Sequence, residues 1–141
     1  MGEKISIQYI AGFFDGEGGI YVTQKTDKRF GKSILVRNIR CQVTNGDIKV
    51  LKMIQQKYGG VIREKQREEG WKPAFYLEIA SQKDILKFLQ DIEPYLIVKK
   101  EQVKLAIQYL KSRLSHQHKR YTNEEIKIVE KIRNLTKRGK R

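Results

Sequence analysis

From Ile20 to Thr44 the apolar residues fall on every second position, a period that fits extended strands with one dry face and no helix. Ile20 and Val22 alternate with Tyr21, Thr23 and Lys25; Leu35, Ile39, Cys41 and Val43 alternate with Val36, Asn38, Arg40 and Gln42. The pattern predicts two antiparallel strands. Their wet face carries hydroxyl, amide, ammonium and guanidinium groups, the types that reach base edges and phosphates. An ordinary solvated sheet face shows the same alternation, so the period alone does not choose between the two.

The flanking segments are helical. Ile5 to Asp15 is too apolar for a surface helix, and Gly12 follows Ala11 inside it, where glycine costs about 1 kcal/mol. Close contact with another backbone would offset that cost. Asp47 can cap a helix carrying Ile48, Leu51, Ile54 and Tyr58, which Gly59 and Gly60 stop. A second strand pair, Val61 to Arg67 and Trp71 to Ala80, follows around a charged turn. Ser81 then opens a helix through Ile85, Leu86, Leu89 and Ile92, halted by Pro94. Two C-terminal helices complete the chain. One holds Val103, Ala106, Ile107 and Leu110 inside; the other is opened by a capping box at Thr122 and Glu125 and carries Ile126, Val129, Ile132 and Leu135. The class is α+β, with the order αββαββα and an additional C-terminal helix. No linker interrupts it, so a single domain over residues 1–141 is expected, with a core from about 5 to 110 and a basic helical extension from about 111 to 141.

Charge narrows the partner. Thirty Lys and Arg stand against sixteen Asp and Glu in 141 residues, a net charge of +14, and that much positive charge on one small domain calls for a polyanion. Nucleic acid comes first and an anionic membrane second. Residues 111–141 alone hold eleven Lys and Arg against three Glu, and the apolar stripe there implies a docked helix with an aimed basic face. One cysteine cannot form an intrachain disulfide, and two histidines cannot complete a zinc site. The ten-residue apolar stretch near the start falls far short of the roughly 20 residues that span a bilayer. A soluble, intracellular protein with no membrane partner is expected.

The stretch IAGFFDGEG, Ile10 to Gly18, carries the chemistry. It sets two acids at the end of a buried helix, where the helix dipole prefers cations. A divalent ion would reverse that preference: the helix-end carbonyls and Glu17 form a hard, oxygen-rich site suited to Mg²⁺. The plainer alternative has Asp15 capping a neighbouring helix and Glu17 facing water.

IAGFFDGEG resembles the signature of the LAGLIDADG homing endonucleases, with Ile in place of the first Leu and Glu in place of the second acid. The αββαββα order, the basic charge and the length are similar to the family's single-motif members over about residues 5 to 110. The resemblance implies a saddle-shaped antiparallel sheet whose concave outward face lies along the DNA major groove. Tyr21, Thr23, Lys25, Asn38, Arg40, Gln42, Arg63, Lys65 and Tyr76 would be the readers. Glu78 is a further candidate that could accept from cytosine N4 or lie beyond the DNA. Ala11 and Gly12 would pack against the same helix of a second subunit, and Asp15 would cap the partner helix. Glu17 takes the place of the metal-binding carboxylate, with the Gly16 carbonyl as a second ligand, and its longer side chain shifts the metal.

Farther along, QVTN (Gln42 to Asn45) followed by Lys49 is similar to the region where the family places a water-positioning amide and a basic residue, with Asn45 replacing the commoner glutamine. Lys99 sits where a lysine near the scissile phosphate is expected; surface solubility is the plain alternative for Lys49 and Lys99. The implied activity is Mg²⁺-dependent hydrolysis of both strands of a long, roughly palindromic site by a homodimer. Mn²⁺ would substitute, and Ca²⁺ would bind without supporting cleavage. An intron-encoded gene is implied, and intron RNA is a further implied partner. An RNA maturase or a non-cleaving DNA-binding regulator on the same fold are the rival readings. An acid beside DNA phosphates disfavours the pure binders unless a cation lies between. His116 and His118 lack partners for a metal site and are expected in a basic loop. No GKS or GKT follows Gly16 to Gly19, so this is no phosphate-binding loop. Trp71 is expected to cover the core edge, and Cys41 to serve packing alone.

Overall fold

A computed structural model of the protein describes residues 5–28, 34–65, 68–116 and 119–138, with all their side chains except those at 27, 34, 137 and 138. The first helix, α1 (Ile7–Glu17), starts where the Ser6 hydroxyl accepts from the Tyr9 amide at 3.0 Å. It is followed by β1 (Gly18–Asp27), β2 (Ile34–Asn45), α2 (Ile48–Tyr58), β3 (Val61–Lys65), β4 (Ala74–Ile79) and α3 (Gln82–Ile92). A 3-10 turn at Glu93–Tyr95 holds Pro94, and α4 (Lys100–Ser115) and α5 (Asn123–Arg138) close the chain. The expected αββαββα order is therefore present, and two helices, α4 and α5, follow it in place of the one additional helix counted from the sequence.

Local chemistry accounts for the boundaries. Asp47 caps α2 by accepting from the Lys49 amide, and Gly59 and Gly60, at φ +82° and +101°, take the left-handed turn that ends it. A side chain at Gly60 would also come within 2.7 Å of the Glu78 carbonyl. The capping box forms as expected, with Glu125 N donating to Thr122 Oγ1 (3.1 Å) and Thr122 N to Glu125 Oε1 (2.8 Å).

The sheet is antiparallel in the order β1-β2-β4-β3, so the two hairpins join through their second strands. Tyr21 stands opposite Arg40, Thr23 opposite Asn38, Lys25 opposite Val36, Gln42 opposite Glu78, and Tyr76 opposite both Thr44 and Arg63. Directly opposed residues share a face, so all nine expected readers lie on one side. The other side buries Ile20, Ile39, Cys41, Val43, Leu77 and Ile79 against helices contributing Phe14, Leu51, Phe88, Val103 and Ile132. Cys41 is packing, and burial pushes its thiol pKa up.

β2 runs past the last β4 pairing, at Cys41 and Ile79, and its unpaired backbone is satisfied by side chains instead. Gln82 accepts from the Ile39 amide (2.9 Å) and donates to its carbonyl (2.7 Å). Tyr109 donates to the Arg37 carbonyl (2.6 Å), and the Arg37 amide donates to Tyr121 (2.8 Å).

Three expectations need correction. Leu35 is 39% exposed, because this end of the β1–β2 ribbon extends beyond the helical layer. The second hairpin is shorter than the alternation suggested: β4 begins at Ala74, after a turn closed by Trp71 N donating to Glu68 O, with Gly70 at φ +89°. Arg67 lies outside the described residues. Trp71, carried on that turn, is 63% exposed and does not cover the core edge. On α5, Val129 and Ile132 are buried while Ile126 and Leu135 are half-buried, the inner stripe including Ile128. Among the described residues no helix is long and apolar enough to cross a membrane.

Candidate functional site

The end of α1 and the start of α4 cap one another. The Asp15 carboxylate accepts from the backbone amides of Ile97 (2.8 Å), Val98 (3.0 Å) and Lys99 (2.9 Å). Lys99 is the N-cap of α4, and Ile97 and Val98 lead into it, so the carboxylate lies at the positive end of that helix's dipole, where an anion is favoured. In return Lys99 Nζ donates to the Asp15 carbonyl at 2.6 Å, placing a cation at the C-terminus of α1. The unfavourable acid of the sequence is thereby accounted for: it is at the wrong end of its own helix and at the right end of another.

This arrangement corrects the assignment of Asp15 to a partner's helix, since its carboxylate caps α4 of its own chain. Partial burial works to raise its pKa and is outweighed by the amides of Lys99, Val98 and Ile97 and by the Lys99 charge, so the net shift is downward. Asp91 and Glu125 are lowered likewise: burial opposes, while hydrogen bonds from Tyr58 and Lys87 to Asp91, and from Thr122, Ser112 and Arg113 to Glu125, prevail. A carboxyl whose folded pKa lies below its unfolded one stabilises the fold above the ordinary carboxylate range, near pH 4, and loses that contribution as pH falls. The thermal midpoint is therefore expected to hold steady from neutrality to about pH 5 and then to drop; a midpoint unchanged well below pH 4 would contradict these pairings.

Glu17, two residues beyond Asp15, is exposed and lines a cleft of about 520 Å³. Gly16, Gly19, Tyr21, Lys99, Glu101, Gln102 and Thr136 are among its lining residues. The structure thus brings together Gly16, Glu17 and Lys99 from the expected site. Asn45 and Lys49 are not among the lining residues. Asn45 Oδ1 accepts from the Asp47 amide (2.8 Å) in the turn that starts α2, and Lys49 borders a separate depression with Ser6, Tyr9 and Val50 near the start of α1. Glu101, Gln102 and Thr136 were not anticipated: Gln102 Nε2 donates to Thr136 Oγ1 (2.6 Å), which donates to the Ile20 carbonyl (3.1 Å), tying α4 and α5 to β1. No local motif marks residues 116 apart.

α1 has two unlike faces. Ile10, Ala11 and Phe14 are fully buried in the chain's own core, which corrects the assignment of Ala11 to a subunit contact. Tyr9, Gly12 and Gly16 are exposed and Phe13 is half-buried, at the spacing of one helical stripe. A Cβ at Gly12 or Gly16 would meet nothing within 4 Å.

On the sheet's outer face Glu78 is only 8% exposed: Arg40 Nη1 donates to its Oε1 (2.5 Å) and Gln42 Nε2 to its Oε2 (2.8 Å). Both oxygens are thus already engaged within the chain. His116 is exposed at the end of α4, its Nδ1 2.8 Å from the Ser112 carbonyl, and His118 lies outside the described residues. Among the described residues no three His, Cys, Asp or Glu side chains cluster as a metal site. Glu17 and the Gly16 carbonyl are hard oxygen donors of the kind that suit Mg²⁺, and these two alone are too few to enclose it.

The LAGLIDADG endonuclease sequence profile matches residues 10–105. A comparison with curated protein sequences gave no match. Among solved structures, the chain is similar to the homing endonuclease I-CvuI in complex with a DNA target in the presence of Mg (22% identity, 96% of this chain and 84% of that one, TM-score 0.74). It is also similar to the homing endonuclease I-TnaI (20%, 95% and 89%, TM-score 0.73). A third is the archaeal intron-encoded homing endonuclease I-Vdi141I complexed with DNA (20%, 96% and 84%, TM-score 0.70).

Proposed function

The chain belongs to the LAGLIDADG endonuclease family, and from that premise we propose that it is a homodimeric, site-specific homing endonuclease that hydrolyses both strands of a long, roughly palindromic DNA target. The observation that carries the reading is the pairing of an exposed carboxylate at the end of α1 with a helix face kept open at Gly12 and Gly16 between Tyr9 and Phe13. Two copies of α1 abutting along Tyr9, Gly12, Phe13 and Gly16 would bring two Glu17 side chains to one two-fold axis. The cut on each strand then has a carboxylate of its own.

Each chain's residues have distinct work. Glu17 and the Gly16 carbonyl would hold Mg²⁺, which supplies positive charge against the scissile phosphate and acidifies bound water. Mn²⁺ would serve in its place, and Ca²⁺ would occupy the same oxygens without supporting cleavage. Lys99, held at the cleft by the Asp15 carbonyl, offers an ammonium to the charge that develops on the phosphate as water attacks and the ester oxygen leaves. Asp15 positions the segment that carries Lys99. The outer face of the sheet lies along the major groove, where Tyr21, Thr23, Lys25, Asn38, Arg40, Gln42, Arg63, Lys65 and Tyr76 meet base edges and phosphates.

The test is digestion of DNA spanning the gene's own insertion locus without the intervening sequence. Mg²⁺ should yield one double-strand break at that locus, and chelator or Ca²⁺ none. Cutting that persists in chelator, or scattered cutting without a preferred locus, would overturn the proposal.

A further inference from the structure

We infer that Glu78 sets base preference without itself reading a base, by locking Arg40 and Gln42 into one unit so that the base pairs they meet are recognised jointly. This rests on the outer face of the sheet being the DNA-reading surface. Glu78 lies opposite Gln42 and diagonal to Arg40, and gives one carboxylate oxygen to each. Arg63 forms an ion pair with Glu78 Oε1 at 3.9 Å, beyond hydrogen-bond range, so it adds positive charge beside the unit while its own fork is not held by it.

The chemistry of each group makes the lock directional. An ionised carboxylate only accepts, so the Gln42 amide must turn its NH₂ toward Glu78. Its carbonyl and its second N–H are then presented elsewhere in a fixed sense, whereas an unheld amide can flip and exchange donor for acceptor. Arg40 spends one N–H on Glu78 and keeps the rest of its fork, while the neighbouring negative charge weakens its pull on phosphate in general. Hydrogen bonds to bases then decide more of what Arg40 does. Two residues apart on one strand, the side chains are separated by about 7 Å, roughly two base-pair steps. They reach different base pairs while sharing one anchor.

The experiment enriches a random-sequence duplex library on the full chain in Ca²⁺, using the wild type, Glu78→Gln, and Arg40→Ala in each background. The wild type should enrich one site. Glu78→Gln should still bind that site, but discrimination at the two positions read by Arg40 and Gln42 should fall together, from about tenfold or more per base pair to under about twofold. Positions met by Thr23 and Asn38 should keep their preference. Arg40→Ala should disturb both positions in the wild-type background and add little at either in Glu78→Gln. Gln42→Met breaks the same link from the other end, and should shift the preference at the Arg40 position even if Glu78→Gln fails to fold. Unchanged preference in Glu78→Gln, a uniform loss at every position, or effects of Arg40→Ala and Gln42→Met confined to their own base pairs would each overturn the inference. A wild type that enriches no sequence would overturn the DNA-reading assignment itself, and this inference with it.

Discussion

Replacing Glu17 by Gln is expected to lower strand cleavage by about a thousandfold or more, equivalent to roughly 4 kcal/mol of lost transition-state stabilisation, while leaving target binding in Ca²⁺ within a few-fold. The amide keeps the size and one oxygen of the carboxylate but removes the charge that pairs with a divalent ion. Glu17 is exposed at the helix end, and its side chain carries none of the core, so the fold has little to lose. Single-turnover cleavage and a gel-shift titration on the same preparation separate the two effects. Cleavage within about tenfold of wild type would remove Glu17 from the chemistry, because a lost metal ligand costs far more than that. A parallel collapse of binding would instead show that it supports the interface.

Gly12→Leu should separate folding from activity more sharply. Nothing lies within 4 Å of a Cβ at this position, so the chain on its own accommodates the side chain, and α1 gains from losing a helix-interior glycine by up to about 1 kcal/mol. Against the same face of a second copy, however, a leucine forces the two backbones apart. Sedimentation is expected to show two copies per particle for wild type and one for the variant, with double-strand cleavage reduced at least about a hundredfold. Circular dichroism should be unchanged. A variant that remains paired and cuts normally would show that the stripe faces solvent in the working enzyme.

Much of this was legible because it is written in short-range pattern. The period-two alternation put Tyr21, Thr23, Lys25, Asn38, Arg40 and Gln42 on one face, and the capping box at Thr122 and Glu125 and the Asp47 cap of α2 follow from residues three or fewer apart. What the pattern could not carry depends on pairs far apart in the chain. Asp15 finds its partners 82 to 84 residues later, so its cap on α4 of its own chain leaves no local trace. Glu78 meets Gln42 only because β2 and β4 are neighbours, an order that hairpin signals leave open. Ala11 and Gly12 look alike as small residues, yet one helical step of about 100° sends one into the core and the other to the surface. The exposure of Trp71 and Leu35 depends on where the helical cover stops, which strand alternation does not encode.

The same strands thus supply two surfaces with almost no side chains in common. Apolar residues such as Ile20, Ile39 and Leu77 keep the scaffold standing, while Thr23, Asn38 or Arg63 can be exchanged without disturbing them. A lineage carrying this scaffold can therefore wander toward new recognition sites by single surface replacements, each nearly neutral for stability. Arg40 and Gln42 are the exception: bound to a shared anchor, they must change in concert, and this small patch should be the slowest part of the face to acquire a new preference.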